Sequence, residues 1–415
     1  MLEKVDKLQL IHFFLISYLI SRVFVKHRLS EKIVYWLFET KRVSISRLTW
    51  VLIFGSVVLS MIIANVITLL TLLPLILILQ NDHVGSVREH RKFSTLILLA
   101  LVWGANIGGM GTLTGTTTNG ILVGMFEMYK FPVKQSFTFL SWMAWGIPLV
   151  ILLCGIGWTI LMLVFRPNQY LSGMKIRQHL STAEIPPRVQ KIGIWQACIF
   201  LLTSSLLSFE MSILRNHRGH IYLLTSIWTL IWLYFIFLHR YSSGKGMQKV
   251  SMLTDKDILH DFPKKGLMWI GLGLGVTALL VMFKFPDRIA MWTVTHLNNG
   301  FSILILYLVV ALITTFTTEL VSNSVVQISM FLALFPLTKM YPEISWQMML
   351  IITLCSTCAF MTPIATPSNG LGFGSSQKVS LKHMLWAGAL MNLFSAVLIS
   401  LWTLYIVPLT LGWFK

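Results

Sequence analysis

Apolar stretches of roughly 18 residues or more recur from one end of this 415-residue chain to the other, and that recurrence constrains the fold more than any single motif. A stretch of that length is a candidate to cross a bilayer. A lipid-exposed backbone must satisfy its own hydrogen bonds, so helices are the expected spanning element. Composition agrees: 55% of residues are apolar and 12% are charged, too little polar surface for a soluble chain of this size. The expected spans are 8–25, 48–80, 94–126, 135–165, 192–209, 219–238, 266–284, 301–338, 346–374 and 384–411. The expected fold is an all-α, multi-pass integral membrane protein with the lipid bilayer as its first partner. Residues 1–7 run straight into the first span, without the pattern of a secretory leader.

Two of these segments have an unusual length. Segments 48–80 and 301–338 are too long for one helical crossing, which takes about 20 residues, and too short for two. Each carries polar residues at its centre: Ser60 and Asn65 in the first, Ser322-Asn323-Ser324 in the second. The object that fits is a re-entrant hairpin, two half-helices meeting at a polar tip inside the membrane.

The net charge of +18 would suit a nucleic-acid binder if it formed a patch, but the Lys and Arg residues lie between spans. That pattern orients membrane proteins, and no nucleic-acid partner is expected. Suppose each hairpin enters and leaves on one side while every other segment crosses. Connections 26–47, 81–93, 166–191, 239–265 and 375–383 then share a side and hold about two thirds of the 33 Lys and Arg residues. The basic side is cytoplasmic, so the first hairpin dips in from the cytoplasm and the second from outside. The plasma membrane is the expected location. Loops 166–191 and 239–265 read as solvated basic connectors.

Each hairpin is followed by a span interrupted by Gly, Thr or Pro, and the two halves share motifs. Thr116-Thr-Thr-Asn119-Gly120-Ile-Leu-Val-Gly124 matches Thr366-Pro-Ser-Asn369-Gly370-Leu-Gly-Phe-Gly374 as TxxNGxxxG. Ser60-Met-Ile-Ile-Ala64-Asn65 matches Thr318-Glu-Leu-Val-Ser322-Asn323 at the tips. With opposed entry sides, the repeat is inverted, and inverted repeats with broken helices mark the midplane site of secondary transporters. A broken helix frees backbone groups. Half-helix N-termini attract anions. Freed carbonyls with Ser, Thr and Asn oxygens suit a hard cation such as Na⁺. Gly108-Gly109-Met110-Gly111 would let the backbone close on such a cage, and Pro363 and Pro367 interrupt the second broken span.

Glu319 is the one acidic residue deep in an apolar segment, beside the second tip. Coupling-proton carrier, cation ligand and structural clasp are all open readings of it. Cys355-Ser-Thr-Cys358 is a CxxC without a His or Cys partner cluster, which disfavours a redox or metal role. An integral-membrane enzyme would need paired acids, a His cluster or an activated nucleophile at membrane depth. The sequence offers none, so no catalytic residue and no cofactor are expected.

Taken together, these motifs resemble the divalent anion:sodium symporter family of the ion transporter superfamily. That family has paired Ser-Asn-Thr tips and paired broken spans with Thr-Pro-Pro-Asn. The second tip, Glu319-Leu-Val-Ser322-Asn323-Ser324, and Ala365-Thr366-Pro367-Ser368-Asn369 are similar to it. So is the first broken span, Ala105 to Asn119. The resemblance implies Na⁺-driven symport of a small anion (a dicarboxylate, citrate or sulfate) by an elevator motion in a homodimer. One Na⁺ would sit near Ser60, Ala64, Asn65 and Gly109, and a second near Thr318, Ser322, Asn323, Ala365 and Pro367. The substrate would touch Asn65, Val66, Asn323, Ser324 and Thr366. The implied organisation has a partial scaffold span and cytoplasmic amphipathic linker over 1–47. First-repeat transport elements cover 48–165, scaffold spans 166–300, and second-repeat transport elements 301–415. The family places three further spans before the segment matching 8–25.

The first tip reads Ala64-Asn65-Val66, without the two hydroxyls of Ser-Asn-Thr, and Thr117-Thr118 stands where the family has Pro-Pro. The second cation site is therefore expected to dominate. Two other classes remain at this stage. One is a proton-linked antiporter or oxyanion permease using Glu319. The other is a transport-dead binding protein.

Overall fold

The computed structural model describes residues 44–61, 65–81, 86–113, 115–137, 139–167, 189–196, 218–242, 249–259, 264–285, 302–376 and 379–413, with a few single positions besides. Ala64, most of spans 8–25 and 192–209, and most of connections 26–47 and 166–191 lie outside the described residues. The chain clusters into two units. One comprises Met1–Ser44, Val66–Val84 and Leu171–Phe262; the other comprises Ile45–Asn65, Gly85–Tyr170 and Pro263–Lys415.

The larger unit holds both tips. It opens with α1 (Ile45–Ser60), and α2 (Asn65–Asn81) begins at its edge. The first interrupted span is α3 (Val87–Gly108) and α4 (Thr117–Met128), followed by α5 (Phe139–Phe165). Ser86 starts α3 with a reciprocal cap: its Oγ accepts from the Glu89 N–H, and Glu89 Oε2 accepts from the Ser86 N–H.

α1 packs along α3 because two glycines one turn apart clear the way. A Cβ on Gly104 would sit 2.4 Å from the Ile53 carbonyl oxygen, and one on Gly108 would sit 2.4 Å from that of Val57. Small residues four apart allow this approach, and van der Waals contact between backbones then holds helices together without a hydrophobic drive. Two hydroxyls buried in α1 return to their own backbone: Thr49 donates to the Ile45 carbonyl at 2.8 Å and Ser56 to that of Leu52 at 2.7 Å.

The smaller unit contributes α6 (Arg218–Leu233), which runs on through a π-turn at Tyr234–Leu238. Helix is the dominant element throughout, and one short ribbon interrupts it here. Arg240–Ser242 (β1) and Lys249–Ser251 (β2) pair as an antiparallel ribbon with Tyr241 opposite Val250. The connector 239–265 is rich in Lys, Gly and Ser and read as solvated, but Met252 and Leu253 behind the ribbon are fully buried with Trp232 and Ile236. Lys26 Nζ reaches Asp257 Oδ2 at 2.8 Å, and His27 Nε2 lies 2.8 Å from the Met252 carbonyl oxygen. Burial pushes the His27 imidazole down. Burial raises Asp257, but hydrogen bonds from Lys26 and Thr254 outweigh that and hold it below its ordinary value. The short helix α7 (Asp255–Leu259) follows.

The remainder of the larger unit follows Pro263. It has α8 (Lys264–Met282), α9 (Ile303–Thr318), α10 (Asn323–Met340), α11 (Pro342–Ser356), α12 (Pro367–Ser375), α13 (Leu381–Leu401) and α14 (Val407–Gly412), the last two joined through a π-turn at Trp402–Ile406. α9 packs on α11 and α13, and α10 on α11. Among the described residues, Ser141–Phe165 and Leu381–Gly412 are long and apolar enough to cross a membrane. Ile45–Ser60, Ile303–Thr318 and Asn323–Leu334 are apolar but shorter. A 16-residue helix rises about 24 Å, less than the roughly 30 Å hydrocarbon core.

Candidate functional site

The two tips are built to one plan. A helix ends at Ser60 or Thr318, four residues follow, and a new helix begins at Asn65 or Asn323. Ser60 Oγ bonds Asn65 Oδ1 at 2.9 Å and the Ala105 carbonyl at 2.6 Å. Thr318 Oγ1 bonds Asn323 Oδ1 at 2.7 Å and the Ser356 carbonyl at 2.9 Å. In each case one hydroxyl proton faces two oxygen acceptors, and three oxygens crowd together with a single hydrogen among them. A hard cation suits such a cluster, because it satisfies lone pairs that one proton cannot.

The breaks in the spans duplicate as well. Asn119 Nδ2 donates to the carbonyls of Gly109 and Thr112 at 2.9 and 2.8 Å. Asn369 Nδ2 donates to those of Ala359 and Thr362, both at 2.9 Å. Thr112 Oγ1 donates to the Met61 carbonyl at 2.6 Å, and Thr362 Oγ1 to the Glu319 carbonyl at 2.7 Å. An indole N–H serves the next carbonyl on both sides, Trp142 on Met110 at 2.9 Å and Trp103 on Phe360 at 3.1 Å. Each carboxamide thus stands in for helical N–H groups that the break removed.

The expected site residues fall as follows. Ser60, Asn65 and Gly109 come together: a Cβ on Gly109 would lie 2.8 Å from Asn65 Oδ1, so only glycine leaves room for that oxygen. Ala64 is outside the described residues, and Val66 is the second residue of α2. Thr318 and Asn323 are joined directly. Ser322 precedes α10 and its carbonyl accepts from the N–H groups of Val325 and Val326, both at 3.0 Å; half-buried Ser324 follows Asn323. Thr366 caps α12, its Oγ1 accepting from the Asn369 N–H at 3.1 Å, with Pro367 as the first helical residue. Ala365 is buried in the same break.

Glu319 is buried at 2% exposure. Its Oε1 accepts from the N–H groups of Phe360 and Met361 at 2.7 and 2.8 Å and from Asn392 Nδ2 at 2.8 Å. Its Oε2 accepts from the Thr362 N–H at 2.8 Å. All four partners are donors, so the carboxyl group acts here as an acceptor. Successive backbone N–H groups form a concave nest for an anion, and Glu319 fills this one from within the protein.

Asn106, Thr112, Thr362 and Asn392 carry much of this network and were not singled out by sequence. The signal was present: Gly109, Thr112 and Asn119 stand at one constant offset from Ala359, Thr362 and Asn369. The shared TxxNGxxxG motif begins at Thr116 and Thr366, downstream of these positions.

A helical membrane protein with paired, oxygen-rich helix breaks belongs to the class of secondary transporters. The family model for citrate transporters matches residues 7–324, and the chain belongs to that family. The sodium-dependent dicarboxylate transporter SdcS of Staphylococcus aureus (strain USA300) is 29% identical over 384 residues, 85% of this chain and 68% of the relative. The same transporter from strain MRSA252 is 29% identical over the same length. The resemblance read from the tips and breaks is borne out. The protein is an integral membrane transporter and not an enzyme.

Proposed function

We propose that the protein is a sodium-coupled symporter of a small di- or trivalent anion, a dicarboxylate, citrate or sulfate. Its transport elements, 48–165 and 301–415, are inverted repeats, and 48–80 and 301–338 are the re-entrant hairpins that dip from opposite faces. Residues 1–47 and 166–300 serve as scaffold, and the protein works as a homodimer in the plasma membrane by an elevator motion. The sodium dependence and dicarboxylate use of the SdcS relatives support this reading. The observation that carries it is the duplicated bonding of Ser60–Asn65 and Thr318–Asn323, each hydroxyl shared between a carboxamide oxygen and a carbonyl.

One Na⁺ would replace the proton-poor contact at Ser60, Asn65 and Gly109. The other would take Thr318, Ser322 and Asn323, with Ala365 and Pro367 in the neighbouring break. The second is the stronger, because its tip keeps both hydroxyls. The anion lies near Asn65, Val66, Asn323, Ser324 and Thr366, where helices begin at Asn65, Asn323 and Pro367 and turn the positive ends of their dipoles to it. Glu319 is a clasp: it ties the second tip to the break at 360–362.

Uptake of labelled succinate, citrate and sulfate into proteoliposomes tests this. An inward Na⁺ gradient should drive uptake of at least one of them, K⁺ should not replace it, and Asn323→Ala should abolish it. Uptake indifferent to Na⁺ would contradict the proposal.

A further inference from the structure

Asn106 lies in the last turn of α3, is fully buried, and bonds to the first tip and to the second break. Its Oδ1 accepts from Asn65 Nδ2 at 3.2 Å. That bond fixes which way the Asn65 carboxamide faces, with its oxygen towards Ser60 and Gly109. Its Nδ2 donates to the Ala359 carbonyl at 2.7 Å and to Asn369 Oδ1 at 3.2 Å. One side chain therefore holds the first tip with its acceptor and the second break with its donor.

The position has no equivalent on the other side. At the matching offset in the second repeat stands Ser356, whose backbone carbonyl serves Thr318. The consequence is unequal breaks. The Ala359 carbonyl accepts from two carboxamides, Asn106 and Asn369, whereas among the described residues the matching Gly109 carbonyl accepts from one, Asn119. Likewise Asn369 Oδ1 accepts from both Thr366 and Asn106, while Asn119 Oδ1 has no partner among the described residues. A buried carboxamide can serve two elements in this way only while both keep their geometry, because an amide's donors and acceptor are rigidly linked.

We infer that Asn106 is the positioning residue that couples the two cation sites. This rests on the sodium-symport reading above. A cation that draws Asn65 Oδ1 towards itself turns the amide and moves the hydrogen that Asn106 accepts. Asn106 passes that movement to Ala359 and Asn369, which shape the break beside Thr366. Occupancy of the first site thereby tightens the second, and the coupling is reciprocal. Serine at 106 is too short to reach both partners.

Thermal stabilisation of the purified full-length protein by NaCl, at ionic strength held constant with choline chloride, tests this. Wild type should be stabilised by Na⁺ with a Hill slope above one, and Asn106→Ser should keep the stabilisation with a slope near one. Asn65→Ala should weaken the remaining Na⁺ affinity at least about fivefold in the wild-type background and leave it unchanged in Asn106→Ser. An unchanged slope in Asn106→Ser would overturn the inference while leaving sodium binding intact. So would a slope above one in Asn65→Ala, a measurement that does not depend on any variant at 106 folding. No stabilisation of wild type by Na⁺ would overturn the symport reading itself, and the coupling with it.

Discussion

The two helix breaks share one set of bonds and differ in what lies behind them. Behind the second stands Glu319, with four N–H donors on its carboxylate. Behind the first the matching residue is Met61, whose Cε would meet a Cβ on Gly111 at 2.8 Å. A polar clasp and an apolar contact therefore occupy equivalent positions. The clasp is directional and fixes its loop, because a buried acceptor moved away strands every donor it served. The methionine fills space with a flexible side chain and tolerates displacement. The second break is thus the preformed half of the pair and the first is the adjustable half.

The largest test of this difference is removal of the two side chains. Glu319→Ala should cost about 3–5 kcal/mol in unfolding experiments, because it strands several buried N–H donors at about 1–3 kcal/mol each, partly relieved by relaxation. Met61→Ala, at a half-buried site, should cost about 1–2 kcal/mol. Similar losses for both would erase the distinction. Glu319→Gln should fall between them: an amide oxygen can keep the donors on Oε1, but its NH₂ then faces the Thr362 N–H.

A smaller contrast lies in the helices that support the two loops. A Cβ on Gly388 would come 2.4 Å from the Phe360 carbonyl oxygen, whereas one on Gly146 would lie 3.0 Å from that of Gly111. Gly388→Ala should destabilise by about 1–3 kcal/mol and Gly146→Ala by less than about 1 kcal/mol, read from thermal unfolding in one detergent. Smaller again is the contrast between the span carboxamides. Asn369→Ala removes bonds from Thr366 and Asn106 in addition to two bonds to loop carbonyls, so it should cost about 1 kcal/mol more than Asn119→Ala.

Surface chemistry should leave both breaks untouched. The Lys26–Asp257 pair is partly exposed, and Asp257→Asn should cost less than about 1 kcal/mol. Because the Asp257 carboxyl is held below its ordinary value of 3.8, its contribution is present above that pH and is lost as pH falls through the lower folded value. Wild type and Asp257→Asn should therefore converge in stability in strong acid, while their Na⁺ response stays the same throughout.

Much of this was legible in the sequence because the features are local. Segment length and central polarity located the tips, and helices end and restart around Ser60–Asn65 and Thr318–Asn323. Thr-Pro at 366–367 is a helix start by cap and ring geometry, and α12 begins there. What sequence left unread depends on distant partners. Nothing in the neighbours of Asn106 indicates that it reaches Ala359 and Asn369, and Glu319 could be weighed between proton carrier and clasp only by knowing what surrounds it. The ribbon at 240–251 went unread because a basic, Gly- and Ser-rich connector gives no period-two pattern, and its apolar backing at Met252 and Leu253 is only two residues long.

The central claim is that the paired tips hold the coupling cations and that the second dominates. Equilibrium binding of radioactive sodium to purified wild type, Asn65→Ala and Asn323→Ala measures this most directly. The account predicts saturable binding to wild type, near-complete loss in Asn323→Ala, and a weakened but measurable signal in Asn65→Ala. Equal binding by all three proteins would contradict it.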